Sequence, residues 1–499
     1  MNLLARPLTV YLAAALMSLI LSLYAALHID VVNPDAICYL QSASAMQQGL
    51  HFAMHLCGQA SWPLYSALIF LMVKLTHLGV SESAYLLNSI FSLISVLSFI
   101  AITQNLNKGN KVTVLWLAAL VILTAHEFNA LRQDVIRDHG FMAFYLLSIL
   151  FLLNYFRSMQ WRDSLGWSIS LVVATLFRIE GAVFLLLLPF AVYLNPRLTF
   201  FGRFKSFLRL QTLVMIIAAM VIIWLFIHPS QDLSRLHDLK YQILNGSHLV
   251  WKNFSMRSAL LAKNVLTADS VHDANMVFAL SLLSWYVIQI ISTLSLVYAL
   301  LVIYAWWKRT LATDQLSRYV LWAYIIINLL ITMVFLAERY FLSQRYLMPL
   351  SLVLMLWIPF ALHYLMEQYR ERKWLSEIAL ALILLSSLGG IFHFGYSKMY
   401  IRNAGEWISQ NVPPQSKLYS NDYQLKYYSN HFGNELFAKD TDFSILKTLQ
   451  WQQYDYLALR VSKQDPEISS WIEKEIQMSP MKVFANRRGD EVVIYKVPH

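Results

Sequence analysis

The stretch WPLYSALIFLMVKLTHL, Trp62 to Leu78, decides how this chain is arranged. It is apolar enough to enter a membrane, but it is short and carries Lys74 and His77. A spanning helix needs about 20 apolar residues, because the hydrocarbon core is ~30 Å thick and a helix rises ~1.5 Å per residue. If 62–78 crosses, the next run, 84–104, returns outward and the Lys108/Lys111 loop lands on the side that basic loops avoid. If it lies in the membrane surface as an interfacial helix, every basic loop downstream falls on one side. We adopt the second reading.

Working outward, the 499 residues are 58% hydrophobic and only 14% charged, and apolar runs of near-spanning length recur throughout. This is the composition of a polytopic α-helical membrane protein. The net charge of +10 does not point to nucleic acid, because the basic residues sit in short loops between apolar runs. The first run follows Arg6 and is long for the core of a signal peptide. No small-x-small cleavage site follows it, so a retained span is expected. No tandem repeat or low-complexity tract interrupts the chain.

About eleven spans are expected, near 8–28, 84–104, 112–127, 139–156, 164–178, 181–195, 210–228, 276–305, 319–337, 346–365 and 375–395. The N-terminus is then cytoplasmic. The outer segments are a first loop at 29–83, 128–138, a tight turn at 178–180, a large loop at 229–275, 338–345, and everything after about 396. Two interfacial helices, at 36–49 and 62–78, shape the first loop. Residues 1–395 form the membrane domain. The tail, 396–499, is polar, with a helical RNAGEWISQN and strand-like runs in KLYS, YDYLALRV, MKVFA and EVVIYKV. It reads as a small α/β domain on the outer side.

This topology gathers ionisable residues at one membrane face: Asp30 and Asp35, Arg132, Asp134, Arg137 and Asp138, Arg178 and Glu180, and Glu338, Arg339 and Arg345. Each alone reads as a solvated helix end. Together they suit a reaction that needs a carboxylate base and a cation for a phosphate leaving group. A phosphate carried on a long isoprenoid would explain why such an enzyme is mostly membrane. Asp35 has a plainer reading as well. NPDA is a helix start, with Asn33 as N-cap, Pro34 at the first position and Asp35 complementing the helix dipole. Asp138 likewise serves as a cap, and Arg178 and Glu180 as a turn pair.

Several short motifs resemble those of the GT-C glycosyltransferases, notably protein O-mannosyltransferases and the lipid A aminoarabinose transferase. Asp35-Ala36-Ile37-Cys38-Tyr39, with Ala43, Ala45 and Gly49, resembles their first-loop motif. The run from Ser61 to Leu97 resembles the following segment, LRQDVIRDHG the second-loop element, and RYLMPL the start of a late span. A soluble domain after the last span also matches. The resemblance implies a GT-C fold and transfer of a sugar from a polyprenyl-phosphate donor to an envelope glycan, lipid or protein acceptor. The setting it implies is the periplasmic face of a bacterial inner membrane. Asp35 would be the base and Asp138 the second-loop acid. Arg137, Arg178, Arg339 and Arg345 are candidates for the donor phosphate, with Tyr39 and Tyr346 shaping the pocket and Glu180 beside Arg178. The acid that often follows the first Asp is Ala36 here. Asp30 is a possible substitute, and a divalent cation is possible but not specified by any ligand set.

Cys38 and Cys57 both lie in the first outer loop, where a disulfide or two free thiols are open readings. His51, His55 and Cys57 have a spacing that could hold a metal, although surface histidines are the simpler account. NGS at 245–247 matches a glycosylation acceptor. Two other functions compete. A transporter or flippase for lipid-linked or anionic solutes predicts charges deep in the spans. An O-antigen ligase or polymerase would use arginines and a histidine in a large late loop, here 229–275.

Overall fold

A computed structural model describes residues 6–498 apart from 228–233, 370, 372, 393, 433–449, 464–465 and 477. The side chains of the NGS acceptor at 245–247 also lie outside the described residues. The chain opens with α1 (Pro7–Leu27), α2 (Pro34–Ala45), α3 (Leu50–Met54), α4 (Leu64–Thr76), α5 (Val80–Leu106), α6 (Val112–Leu123) and α7 (His126–Ala130). After these come α8 (Asp138–Ser158), α9 (Trp161–Phe177), α10 (Glu180–Leu187), α11 (Phe200–Ile227) and α12 (Ser234–Asn264). Next are α13 (Ala274–Leu294), α14 (Leu296–Lys308), α15 (Gln315–Arg339), α16 (Gln344–Met355), α17 (Ile358–Gln368) and α18 (Trp374–Ile391). The tail holds α19 (Met399–Asn411), β1 (Leu418–Ser420), α20 (Tyr423–Ser429), β2 (Tyr456–Val461), α21 (Pro466–Glu475), β3 (Lys482–Ala485) and β4 (Glu491–Lys496).

Among the described residues, seven helical segments are long and apolar enough to cross a membrane, or eight if the bent pair formed by α6 and 126–133 is one span. The molecule is a polytopic α-helical membrane protein. Segment 62–78 contains α4, a helix of only 13 residues. At ~1.5 Å per residue it reaches about 20 Å, short of the ~30 Å core, as expected of an interfacial helix. Seven or eight is fewer than the about eleven spans expected, and several expected runs do not form single spanning helices. The run at 164–178 is the 17-residue α9, and 181–195 is the short α10 continued by a 3₁₀ stretch. The run 276–305 is not one helix. Ser295, at φ 71°, ψ 151°, breaks it into α13 and α14, and its hydroxyl accepts a bond from the Tyr298 N–H at 3.5 Å.

The chain divides into two compact units. The first comprises 1–19, 91–131 and 138–391. Its core is lined by large side chains such as Tyr145, Tyr155, Trp167, Phe177, Phe184 and Tyr324, all fully buried. Several polar side chains in this interior pair with one another within the bundle, which offsets the cost of burying them in a low-dielectric medium. Tyr145 Oη accepts from Asn328 Nδ2 at 2.6 Å, Ser148 Oγ and Tyr324 Oη lie 2.9 Å apart, and Tyr286 Oη meets Thr332 Oγ1 at 2.7 Å.

The bend of 56° between α6 and 126–133 frees backbone carbonyls, which side chains recover. Tyr298 Oη donates to the Val121 carbonyl at 2.9 Å, and Asn129 Nδ2 to that of Leu123 at 2.7 Å. Helix α18 packs against the bend through Gly390, where a Cβ would collide with the His126 carbonyl oxygen. Small residues permit this backbone approach. The Gly390→Ala variant is expected to lose about 1–3 kcal/mol by overpacking, read as a lowered melting temperature in detergent. An unchanged melting temperature would mean that α18 can shift at no cost.

The second unit comprises 20–90, 132–137 and 392–499, so the first loop, the second loop and the tail form one body. The tail sheet has the order β1-β2-β4-β3, with β1 and β2 parallel and the other pairs antiparallel. Alternating strand residues face two cores. Tyr456, Ala458, Val492 and Ile494 pack with Tyr400, Ile401 and Ile408 of α19 and Leu425 of α20. Leu457, Leu459, Val493 and Tyr495 pack with Trp451 on the other face. The four strands coincide with the four strand-like runs read from the sequence.

Candidate active site

The candidate residues fall in both units. In the second, Asn33 and Pro34 start α2 and place Asp35 in its first turn. Negative charge there is stabilised by the helix dipole, by about 0.3–1 kcal/mol. Asp35 is half-buried, and its Oδ1 accepts from Gln59 Nε2 at 2.8 Å. Asn33 holds the N-cap position, but its side chain makes no capping bond. Its amide is engaged by the second loop instead. Asn33 Oδ1 accepts from the Val135 N–H at 2.8 Å, and Nδ2 donates to the Val135 carbonyl at 3.5 Å. That loop is itself held by Asn88 Nδ2, which donates to the Asp134 carbonyl at 3.0 Å. Arg132 Nη1 donates to Ser22 Oγ at 2.6 Å. Arg137, the last residue of this stretch, is half-buried.

Cys38 and Cys57 form a disulfide, with Cα atoms 6.0 Å apart, which ties α2 to the segment carrying Gln59. The bridge removes the Cys57 thiolate from any metal set with His51 and His55. Those two rings lie 4.4 Å apart, and His55 Nδ1 is 2.7 Å from the His51 carbonyl oxygen. Tyr39 is buried, edge-on to Tyr65 with centroids 5.0 Å apart. It is part of the support of α2. Asp30, the possible substitute acid, accepts a hydrogen bond from the Lys398 N–H at 2.8 Å.

In the first unit, Asp138 is the first residue of α8 and Arg178 follows the last residue of α9. Gly140 lets these helices meet closely, since a Cβ there would collide with the buried Phe177 ring. The outcome is an acid–base–acid group in which Arg178 and Asp138 are buried and Glu180 is half-buried. Arg178 Nη1 pairs with Asp138 Oδ1, while Nη2 donates to Glu180 Oε1 at 2.5 Å and Nε to Oε2 at 3.3 Å. The guanidinium also lies over the Tyr346 ring at 4.6 Å and the Phe141 ring at 5.7 Å. Tyr346 in turn packs on Phe335, with centroids 4.5 Å apart. Its hydroxyl is 3.4 Å from Arg345 Nη2. Arg339 is exposed and pairs with Glu338 at 3.6 Å. Beside Arg178, Glu180 and Tyr346, a cavity of about 20 Å³ is lined further by Asn328, Thr332 and Phe335. That volume admits a water but not a sugar ring.

This pairing constrains the chemistry. Arg178 is a fixed cation already matched by two carboxylates, so its first task is to hold Asp138 and Glu180. The same arrangement argues against a divalent cation on these two acids, whose oxygens are directed at the guanidinium. Among the described residues no group of three or more His, Cys, Asp and Glu could hold a metal. Sequence reasoning finds the Arg178–Glu180 turn but not its partner Asp138, and it misses Gln59 altogether. The cysteines carry a signal for Gln59, because closing Cys38 onto Cys57 brings its neighbours to α2.

No family model matches the sequence, and no curated protein matches it. Solved structures do. One is the oligosaccharyltransferase of Archaeoglobus fulgidus in complex with Zn and sulfate, at 12% identity over 93% of this chain and 69% of that one, with a TM-score of 0.59. Another is AglB, an oligosaccharyltransferase of the same organism with an inhibitory peptide and a dolichol-phosphate, at 12% identity, 93% and 70% coverage, and a TM-score of 0.50. At such identities the likeness is one of fold. The chain has the fold of the GT-C membrane glycosyltransferases.

Proposed function

We propose that the protein is a membrane-embedded glycosyltransferase, moving a sugar from a polyprenyl-phosphate donor to an envelope glycan, lipid or protein acceptor. The observation that carries this reading is Asp35. It is a half-buried carboxylate in the first turn of α2, oriented by Gln59, in a chain of GT-C fold. The GT-C structures of similar fold include one bound to a dolichol-phosphate, which supports a lipid-phosphate donor.

In the proposed reaction Asp35 takes the proton of an acceptor hydroxyl or amine as that atom attacks the anomeric carbon. The bond from this carbon to the phosphate oxygen breaks, and its electron pair leaves with the polyprenyl phosphate. Attack opposite to the departing oxygen inverts the anomeric centre. Arg137, Arg339 and Arg345 are the proposed partners of the phosphate, because guanidinium forks match its oxygens. Asp138, Arg178 and Glu180 act as a rigid support behind Tyr346. No step is assigned to a metal.

The proposed setting is a bacterial inner membrane, with the N-terminus cytoplasmic and the first loop and tail (396–499) periplasmic. The Cys38–Cys57 bridge supports that side, since disulfides persist in oxidising compartments. The competing transporter reading draws on the broken helix at 124–126, where transporters place polar sites. Here the freed carbonyls are bound by Tyr298 and Asn129 within the protein, so the break does not offer such a site.

The test is reconstitution in proteoliposomes with defined polyprenyl-phosphate sugars and an envelope extract as acceptor. Polyprenyl phosphate is expected to be released in step with sugar incorporation. Folded protein that turns over none of the donors would overturn the reading.

A further inference from the structure

The segment between α1 and α2, residues 28–33, lacks regular structure, yet polar groups of Asp30 and Val32 are taken up by the tail. The Val32 N–H donates to Tyr428 Oη at 2.8 Å, and the Val32 carbonyl accepts from Gln424 Nε2 at 2.6 Å. Gln424 and Tyr428 are one helical turn apart on α20, so one face of this helix grips both backbone groups of one residue. Val32 and Gln424 are both buried, and Val31 packs against the tail core of Tyr400, Ile401 and Leu425. The Asp30 bond to the Lys398 N–H adds a third tie.

The gripping helix is fixed in its turn. Asp422 caps it by accepting from the Leu425 N–H at 3.0 Å and pairs with Arg460 Nη1 at 2.6 Å. Burial raises the Tyr428 phenol above its ordinary range, so at neutral pH it stays a neutral hydroxyl. The grip therefore does not depend on a charge that salt could screen.

Val32 lies only three residues before the candidate base. Pro34 has a restricted φ and begins α2, and Asp35 is the next residue. A backbone fixed at 32 and a helix begun at 34 set the direction in which the Asp35 side chain leaves the chain, and Gln59 Nε2 then holds its carboxylate. We propose that Gln424 and Tyr428 are positioning residues for sugar transfer, acting through Val32 to aim Asp35. The tail domain is thereby part of the catalytic apparatus without touching substrate. This rests on the reading of Asp35 as the base.

The experiment compares the full-length chain with the Gln424→Leu and Tyr428→Phe variants and their double, each alongside Asp35→Asn, in the proteoliposome assay. Displacing a reacting group by about 1 Å costs ~10²-fold in rate. The double variant is expected to lose kcat by about 10- to 100-fold, with the donor KM changed less than about threefold, and to shift the acid limb of its pH–rate profile. Amide exchange over 31–36 should quicken in the variants while exchange in β2 and β4 stays native. A double variant with native kcat and pH profile beside an inactive Asp35→Asn overturns the positioning role alone. A fully active Asp35→Asn overturns the general-base reading instead. If the double variant does not fold, the milder Tyr428→Phe decides, with native kcat and exchange counting against the proposal.

Discussion

The Asp35→Asn variant is expected to transfer sugar about 10²–10⁴-fold more slowly than the native chain, the usual span for loss of a general base. Asparagine is nearly isosteric and keeps an oxygen that can accept from Gln59 Nε2, so α2 and its disulfide should remain intact. What is lost is the negative charge and the site for the acceptor's proton. The effect should therefore appear in kcat, with stability lowered by no more than the helix-dipole contribution of about 0.3–1 kcal/mol. Asp30→Asn is the comparison, because the asparagine oxygen can still accept from the Lys398 N–H and keep the tie to the tail while the charge is lost, and its rate should stay within about threefold of native. Initial rates of polyprenyl phosphate release at equal amounts of folded protein measure both. A drop of less than about threefold for Asp35→Asn would remove this residue from the chemistry.

The second large effect falls on stability. The Arg178→Met variant is expected to lose about 3–5 kcal/mol, enough to reduce or abolish folded protein. The guanidinium is buried between Asp138 and Glu180, and its removal leaves two carboxylates uncompensated at the edge of an apolar bundle. Arg178→Lys should recover only part of the loss, because an ammonium supplies neither the planar fork that meets two acids nor the stacking on Tyr346. Combining Arg178→Met with Asp138→Asn and Glu180→Gln should restore much of the stability, since the charges are then removed together. Thermal melts in detergent measure the series. A melting temperature for Arg178→Met equal to native would mean that the two acids are neutral or hydrated.

Most of the spans and the strands of the tail were legible because each is encoded locally, in an apolar run or an alternating strand. The runs at 164–178 and 181–195 are apolar without reaching spanning length as single helices. The short reach of segment 62–78 was legible from the length of its apolar run, and α4 has 13 residues. The break at Ser295 was not legible. A serine at positive φ gives no signal of the kind a glycine or proline would, and an apolar run continues through it. The acids and arginines of the candidate site stand out in an apolar chain, but their pairing does not. Asp138 meets Arg178 across 40 residues of sequence. Gln59, Gln424 and Tyr428 are ordinary polar residues in the sequence. Only the folded tail and the closed cysteine pair give them partners.

The Cys38–Cys57 bridge also sets a date in the life of each molecule. Cytosolic thiols are kept reduced. On the proposed orientation, a nascent chain has its first span inserted before this loop can be oxidised. On that orientation the loop that carries Asp35 is closed covalently only once it has reached the oxidising side. A copy whose cysteines stay reduced would lack the tie between α2 and the segment that carries Gln59, the hydrogen-bond partner of its candidate base.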